Sequence, residues 1–317
     1  MAAFRWDAGA APAAELRRIA VEQIDRGLGE LDDDDRHRAV HKVRQRGKKV
    51  RALLRLVRPA APELYQRENA AFRDMMRGIS RVRDHGVAVE TYDALLSRFA
   101  EDGMAEDGMA EELAPIRTAL SARREQAIGD DLDGRLDAIR LQLDEARERV
   151  PEWQLDDDGF EVFEGGLATT YGRARARMDE AYADATSSTF HLWRKRAKYH
   201  RHHLRLLEAA WPAVLEARRR EVHELTDLLG DDHDLAVLRA DLVGDPDRFA
   251  GERQVGALCG LLDRRRAELQ AAARPLGQRC FAEEPDGLVA GMRVWWRAAS
   301  STPGGGPLSD PTVVPGS

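Results

Sequence analysis

The chain has 317 residues, 49 Lys and Arg against 56 Asp and Glu, a formal net charge of -7, 43% hydrophobic and 33% charged residues, and two cysteines. That balance argues against a protein that binds nucleic acid by bulk positive charge, and Cys259 and Cys280 lack any short metal-type or redox-type spacing. No apolar run is long enough to span a membrane and the N-terminus carries no signal-peptide stretch, so the expectation is a cytoplasmic protein. Abundant Ala, Leu, Arg and Glu, with no strand-type alternation, predict an all-α fold.

In chain order, the pattern sets apart an N-terminal segment, 1–11, from a helical region, 12–298, and a tail, 299–317, too rich in Pro, Gly and Ser to pack. The first half, 12–150, offers helices at 14–27, 35–57, 62–81, 87–100, 111–128 and 133–150. The run Asp32 to Asp35 precedes the second of these, where acidic charge suits a helix N-terminus, and Pro59 and Pro62 stop it. EDGMAEDGMAEE reads as a loop insertion and 151–158 as the joint between halves. The second half, 159–298, offers helices at 159–186, 188–209, 212–229, 235–243, 251–276 and 288–299, with Ser187 or Ser188 as the cap before the second and Pro212 after it.

Two of these helices are copies of one another. HKVRQRGKKVRALLRLVRP at 41–59 aligns without a gap on HLWRKRAKYHRHHLRLLEA at 191–209, placing His41 on His191, Arg44 on Arg194, Lys48 on Lys198, Arg51 on Arg201 and Arg55 on Arg205. The repeat continues, with Asp84 and His85 matching Asp232 and His233 after the offset slips from 150 to 148. At about 100° per residue, each copy carries a cationic stripe beside an apolar one. The stripes hold His41, Arg44, Lys48, Arg51, Arg55 and Arg58 in the first copy and His191, Arg194, Lys198, Arg201, His202 and Arg205 in the second.

Like charges at i, i+3 and i+4 repel by a few tenths of a kcal/mol per pair, yet neither copy has an acidic residue before Glu208. The two stretches hold 14 of the basic residues, leaving 35 basic against 56 acidic elsewhere. Charge so segregated puts a positive field on an acidic body and points to an anion arriving from outside the helix. A stripe from His41 to Arg55 spans about 21 Å, longer than any single phosphate, so a linear polyanion is the better match; Arg supplies forked donors and Lys a mobile ammonium. The histidines of the stripes fit as partial cations or hydrogen-bond donors, whereas His200 and His203 lie off them and read as structural.

Two competing readings follow from the same residues. Asp231, Asp232, His233 and Asp234 resemble a metal cluster, and His37 with His41 has the spacing of a helical metal pair, the feature a metal-dependent phosphohydrolase would need. No glutamate base stands between those histidines, and the Asp-His pairs at 84–85 and 232–233 read better as turn and helix-cap residues, so no metal ligand, catalytic residue or cofactor is assigned. A nucleic-acid-binding module would use the same charge, but the first basic helix has no aromatic residue on which a base could stack, which disfavours it. Neither a Walker-type loop, a nucleophile elbow nor a dinucleotide fingerprint occurs.

The doubled helix of the form H-x-x-R-K/Q-x-x-K-x-x-R, each copy followed by a helix with an Asp-His pair, resembles the CHAD family, the conserved histidine α-helical domain, over about 12–298. The resemblance implies two pseudo-twofold-related four-helix-bundle halves, a shared basic surface that binds inorganic polyphosphate or phosphate and sulfate ions in its place, and association with polyphosphate granules. Carried onto this sequence, it implies His41, Arg44, Lys48, Arg51 and Arg55, with His191, Arg194, Lys195, Lys198, Arg201 and Arg205, as ligand residues; His202 is added from the stripe. Gln45 departs from the basic residue expected there, with Lys49 or Lys42 to compensate. No ExExK pattern of the triphosphate-hydrolysing CYTH domain precedes the repeat, so the expectation is a binding protein and not an enzyme.

Overall fold

The computed structural model describes residues 4–79, 81–101, 108–127, 132–156 and 158–301; the side chains at 37, 81–86 and 126–127 lie outside that description. The helices are α1 (Pro12–Glu30), α2 (Arg36–Leu56), α3 (Pro62–Gly78), α4 (Arg81–Glu101), α5 (Met109–Ala127), α6 (Leu132–Arg149), α7 (Glu161–Ala183), α8 (Ser187–Leu206), α9 (Pro212–Gly244), α10 (Glu252–Cys280) and α11 (Pro285–Ser300). Short 3-10 turns follow α6, α8 and α9, and no strand occurs among the described residues. Residues 102–107 of EDGMAEDGMAEE and most of the tail fall outside the described residues; Glu101 ends α4 and Met109 to Glu112 open α5, so those ends of the expected loop are helical.

Local chemistry sets the ends of the two basic helices. Asp35 caps α2, its carboxylate accepting the Arg38 backbone N–H at 3.0 Å. For α8 the cap is Thr186 and not Ser187 or Ser188: Thr186 and Thr189 exchange backbone N–H and hydroxyl bonds at 3.1 and 3.2 Å, a reciprocal pair that Ser187, already inside the helix, cannot make. Each basic helix then buries its apolar stripe, Val40, Val43, Val50, Leu53, Leu54 and Val57 on or just after α2 and Phe190, Trp193, Ala197, Leu204 and Leu207 on or just after α8. A buried side chain of this size contributes roughly 1.5–3 kcal/mol, so the two seams fix which way the cationic stripes face.

One expected break does not exist. The sequence LLGDDHDL, read above as the end of one helix and the start of another, lies inside the 33-residue α9. Its buried positions Leu225, Leu229, Asp232, Leu235, Leu238 and Leu242 hold helical spacing straight through the acidic run, and Gly without Pro costs only about 1 kcal/mol in a helix. The Asp-His pairs are therefore not turn or cap residues: 232–233 sits mid-helix, and 84–85 lies within the backbone of α4, its side chains outside the described set.

Two apolar cores result, and they do not divide at the joint between the sequence halves. The larger gathers α1, α2, α3, α6, α7, α8, α11, the start of α9 and the end of α10, and it also takes Phe4 and Trp6 from ahead of α1. The smaller is made by α4 and α5 from the first half with the end of α9 and the start of α10 from the second. The basic helices both belong to the larger core, and α4 and α9 lead from them toward the smaller one.

Candidate functional site

The duplication persists in three dimensions. Position for position, 41–50 and 191–200 show the same succession of buried, half-buried and exposed residues. The two helices touch: Nε2 of His203 on α8 donates to the carbonyl of Ala52 on α2 at 3.1 Å, and the Arg55 guanidinium lies 4.3 Å from the centre of the Tyr199 ring.

Where α2 and α8 meet, a cleft of about 400 Å³ opens. Its basic face comes from Arg44, Lys48 and Arg51 of α2 and Arg194, Lys195 and Lys198 of α8; His191, Tyr199 and His202 complete that face, and Val87, Ala88, Val237 and Leu238 of α4 and α9 form an apolar wall. Among the described residues, Asp234 is the single carboxylate in the lining, against six Lys and Arg.

Neutral acceptors help to hold several of these cations in place. Arg44 donates to the carbonyl of Met76 at 2.8 Å, Arg51 to Asn69 Oδ1 at 3.1 Å, and Arg201 to the Thr226 hydroxyl at 3.2 Å. Lys49, Arg51, Arg55, Lys195 and Arg201 make no ion pair with a carboxylate among the described residues. Gly230, in the middle of α9, has its role here: a Cβ at that position would stand 3.3 Å from the Arg194 guanidinium, so glycine clears the space Arg194 occupies.

The electrostatics of the site register this concentration of positive charge. Burial, and then Lys195, Arg194 and Lys198, push His191 down to about 4. Burial and the neighbouring Arg201 and Lys49 hold His202 well below the usual histidine range. Both shifts favour the neutral imidazole in the free protein, which suits His191 and His202 to hydrogen bonding more than to the partial-cation role. Burial alone would raise the Tyr199 hydroxyl, but Arg55, Arg51 and Lys195 outweigh it and leave Tyr199 lowered. Burial, followed by Arg46, Arg26 and Arg205, lowers Lys49 to about 8.

Of the thirteen residues expected from sequence, Arg44, Lys48, Arg51, His191, Arg194, Lys195, Lys198 and His202 share this cleft. Lys49, Arg201 and Arg205 line a neighbouring hollow with Arg26, Arg219 and His223, joined to the first through His202. Arg55 lines a third hollow, joined through Tyr199. His41 lines none of the three; Gln45 donates to its Nε2 at 2.6 Å. Lys42 is no substitute for Gln45, because Glu30 and Asp33 pair with it at 3.0 and 3.4 Å. Arg205 likewise has an internal partner, Glu208 at 2.5 Å.

Sequence reasoning missed His233, whose ring stacks on His191 with centroids 4.1 Å apart. The signal was present in the repeated Asp-His pair but was read as a turn. The rest of the acidic run disperses: Asp232 is buried and accepts from Arg266 at 3.0 Å and Gln270 at 2.8 Å, Asp231 lines a separate groove, and Asp234 faces the cleft. No group of three or more His, Cys, Asp or Glu side chains among the described residues is disposed to hold a metal. No helix among them is long and apolar enough to cross a membrane.

Comparison with known proteins bears on the same architecture. A family model described as the CHAD domain matches residues 16–243. Among solved structures, the chain is similar to the crystal structure of the CHAD domain from the plant Ricinus communis, at 17% identity over 92% of this chain and 94% of that one, with a TM-score of 0.48. No curated protein matches. With the model spanning well over half of its length and both basic helices, the chain belongs to the CHAD domain family.

Proposed function

We propose that this protein is a non-catalytic receptor for inorganic polyphosphate, held along the cleft between α2 and α8, and that it acts in the cytoplasm at polyphosphate granules. The observation that carries the reading is the lining itself, which among the described residues sets six cationic side chains, drawn in equal number from the two copies of the repeat, against one carboxylate. That is more positive charge than one phosphate group can partner, and it is arranged along two helices instead of converging on a point. Charge-assisted contacts of this kind contribute about 1.5–3 kcal/mol each, and they read a repeating anion without selecting any one unit of it. The apolar wall from α4 and α9 gives the cleft one low-dielectric side, which strengthens those contacts. Among the described residues Tyr199 is the only aromatic ring besides histidine in the lining and it is already covered by Arg55, which gives bases of a nucleic acid little to stack on.

Titration with orthophosphate, triphosphate and long-chain polyphosphate tests the reading. Affinity should climb with chain length, and for about six phosphate contacts it should fall on the order of a thousandfold between 50 and 200 mM salt. Changing Arg44, Lys48, Arg194 and Lys198 together to Glu should abolish binding with helical content unchanged by circular dichroism. Retained affinity in that variant, release of orthophosphate from the chain on adding Mg²⁺ or Mn²⁺, or displacement of polyphosphate by RNA at equal phosphate concentration would each overturn it.

A further inference from the structure

The ends of the two basic helices differ in one exchange of charge. Counting by the offset of 150, Arg55 corresponds to Arg205, and Arg58 corresponds to Glu208. In the second copy Glu208 is buried and serves as an internal anion, 2.5 Å from Arg205, 3.2 Å from Arg219 and 3.7 Å from Arg5. In the first copy that carboxylate is absent and a further arginine stands in its place.

Around Arg55 and Arg58 the structure nevertheless gathers more positive charge. A hollow of about 320 Å³ is lined by these two residues with Arg173 of α7, Arg196 of α8, the hydroxyl-bearing Thr169 and Thr170, and Tyr199. Among the described residues no carboxylate lines it and none of the four arginines makes an ion pair. Nε of Arg55 is buried without a hydrogen-bond partner. Arg196 is lowered by burial first and then by Arg55, Arg173 and Arg177, with Tyr199 the one group opposing the shift. The crowding is built in by close packing: a Cβ on Gly166 of α7 would stand 1.9 Å from the carbonyl oxygen of Leu56, so only glycine lets α7 approach the end of α2 this closely.

We infer that the Arg55, Arg58, Arg173 and Arg196 hollow is a second, separate oxyanion site that takes a phosphate group in the place that Glu208 fills in the other half. Four guanidinium groups suit the oxygens of one tetrahedral anion with several negative charges, whether free phosphate or the end of a phosphate chain that continues past Tyr199 from the main cleft. The site does not depend on the main cleft binding anything.

The test uses the full chain in three forms: wild type, Arg58→Gln with Arg173→Gln, and Arg58→Glu. Arg58 and Arg173 are exposed, which leaves the core untouched. Thermal unfolding is followed against orthophosphate and pyrophosphate, each at constant ionic strength, and affinity for long polyphosphate is measured in parallel. Wild type should gain stability saturably with orthophosphate, the double Gln variant should need at least tenfold more, and Arg58→Glu should melt higher without phosphate and respond no further. A matching tenfold loss of long-chain affinity in the double variant assigns the occupant to the end of the chain, while unchanged long-chain affinity assigns it to free phosphate. Failure of wild type to bind long polyphosphate would sink the main-cleft reading and leave this site standing if the orthophosphate response and its loss persist. An orthophosphate response that is absent, or equal in all three forms, overturns the inference.

Discussion

The two copies of the repeat reach the same destination by different routes. After α2 come two helices, α3 ending at Gly78 and α4 running from Arg81, whereas after α8 the chain runs on as the single helix α9. Between matched positions, Arg58 to Asp84 and Glu208 to Asp232, the first copy holds two more residues than the second. Two residues inserted into a continuous helix would turn everything downstream by about 200°, swinging Val87 and Ala88 away from the cleft. A break resets the phase, and α4 and α9 both present apolar residues to the same wall. What the duplication kept in the cleft is the matched cations Arg44 with Arg194 and Lys48 with Lys198; helix continuity, and which residues of α4 and α9 form the wall, were free to change.

The largest effect should come from taking the two basic rows apart. Arg44→Glu with Lys48→Glu, and separately Arg194→Glu with Lys198→Glu, should each cost about 3–6 kcal/mol of polyphosphate affinity, taking about 1.5–3 kcal/mol per charge-assisted contact. Equal losses by calorimetric titration support a ligand shared by both rows; a loss confined to one row breaks the symmetry.

Next is the packing that brings the halves together. Gly166→Ala should destabilise the fold by about 3 kcal/mol in denaturant unfolding, because the new methyl meets the rigid backbone of Leu56. Stability close to wild type would mean that α7 can withdraw from α2.

The copies should also part company in acid. Where α2 has Val50 and Leu53, α8 has His200 and His203, both buried and both held down to about 3, chiefly by burial. Because the folded values lie below the unfolded one, the unfolded chain binds more protons between about pH 6.5 and 3. Stability is fully present above that window and lost as pH falls through it, about 2 kcal/mol per histidine between pH 7 and 5. His203→Leu, which installs the residue found at 53, should flatten the loss measured by urea unfolding at stepped pH; an unchanged slope would contradict the assignment.

The smallest effect concerns Lys49, the counterpart of Tyr199. With Lys49 at about 8 in the free protein, a bound polyanion raises that value, so binding takes up a proton and weakens as pH rises above 8. The decline should be at most about tenfold per pH unit, and Lys49→Gln should remove its lower arm. Affinity independent of pH from 7 to 9 in wild type would show that no anion approaches Lys49.

Much of the site was legible because it was written twice. An ungapped repeat of cations with no local acids placed eight residues in one cleft, and the apolar stripe beside them told which face turns inward. His233 and Gly230 were illegible for a physical reason: Gly and Asp weaken a helix and mark turns equally well, and only the packing of α9 decides that Asp232 meets Arg266 while Gly230 yields to Arg194. Arg196 and Arg173 fell outside the expected set because they belong to no stripe; α7 carries one of them to the hollow from a helix that has no counterpart of the basic pattern.

By itself the sequence determined that the protein is helical, that its positive charge is concentrated on two matching helices, and that those helices bury one face. Periodicity and composition act locally, through the 3.6-residue turn and the cost of exposing apolar surface, so they can be read from a single strand of text. Tertiary structure alone decided which cations the protein pairs internally, since Glu30 of α1 takes Lys42 while Arg51 rests on the neutral Asn69 of α3. It also decided that α4 and α5 join α9 and α10 in a core across the two halves. Those outcomes depend on distances between residues far apart in the chain, and electrostatic pairing and close packing are set by those distances.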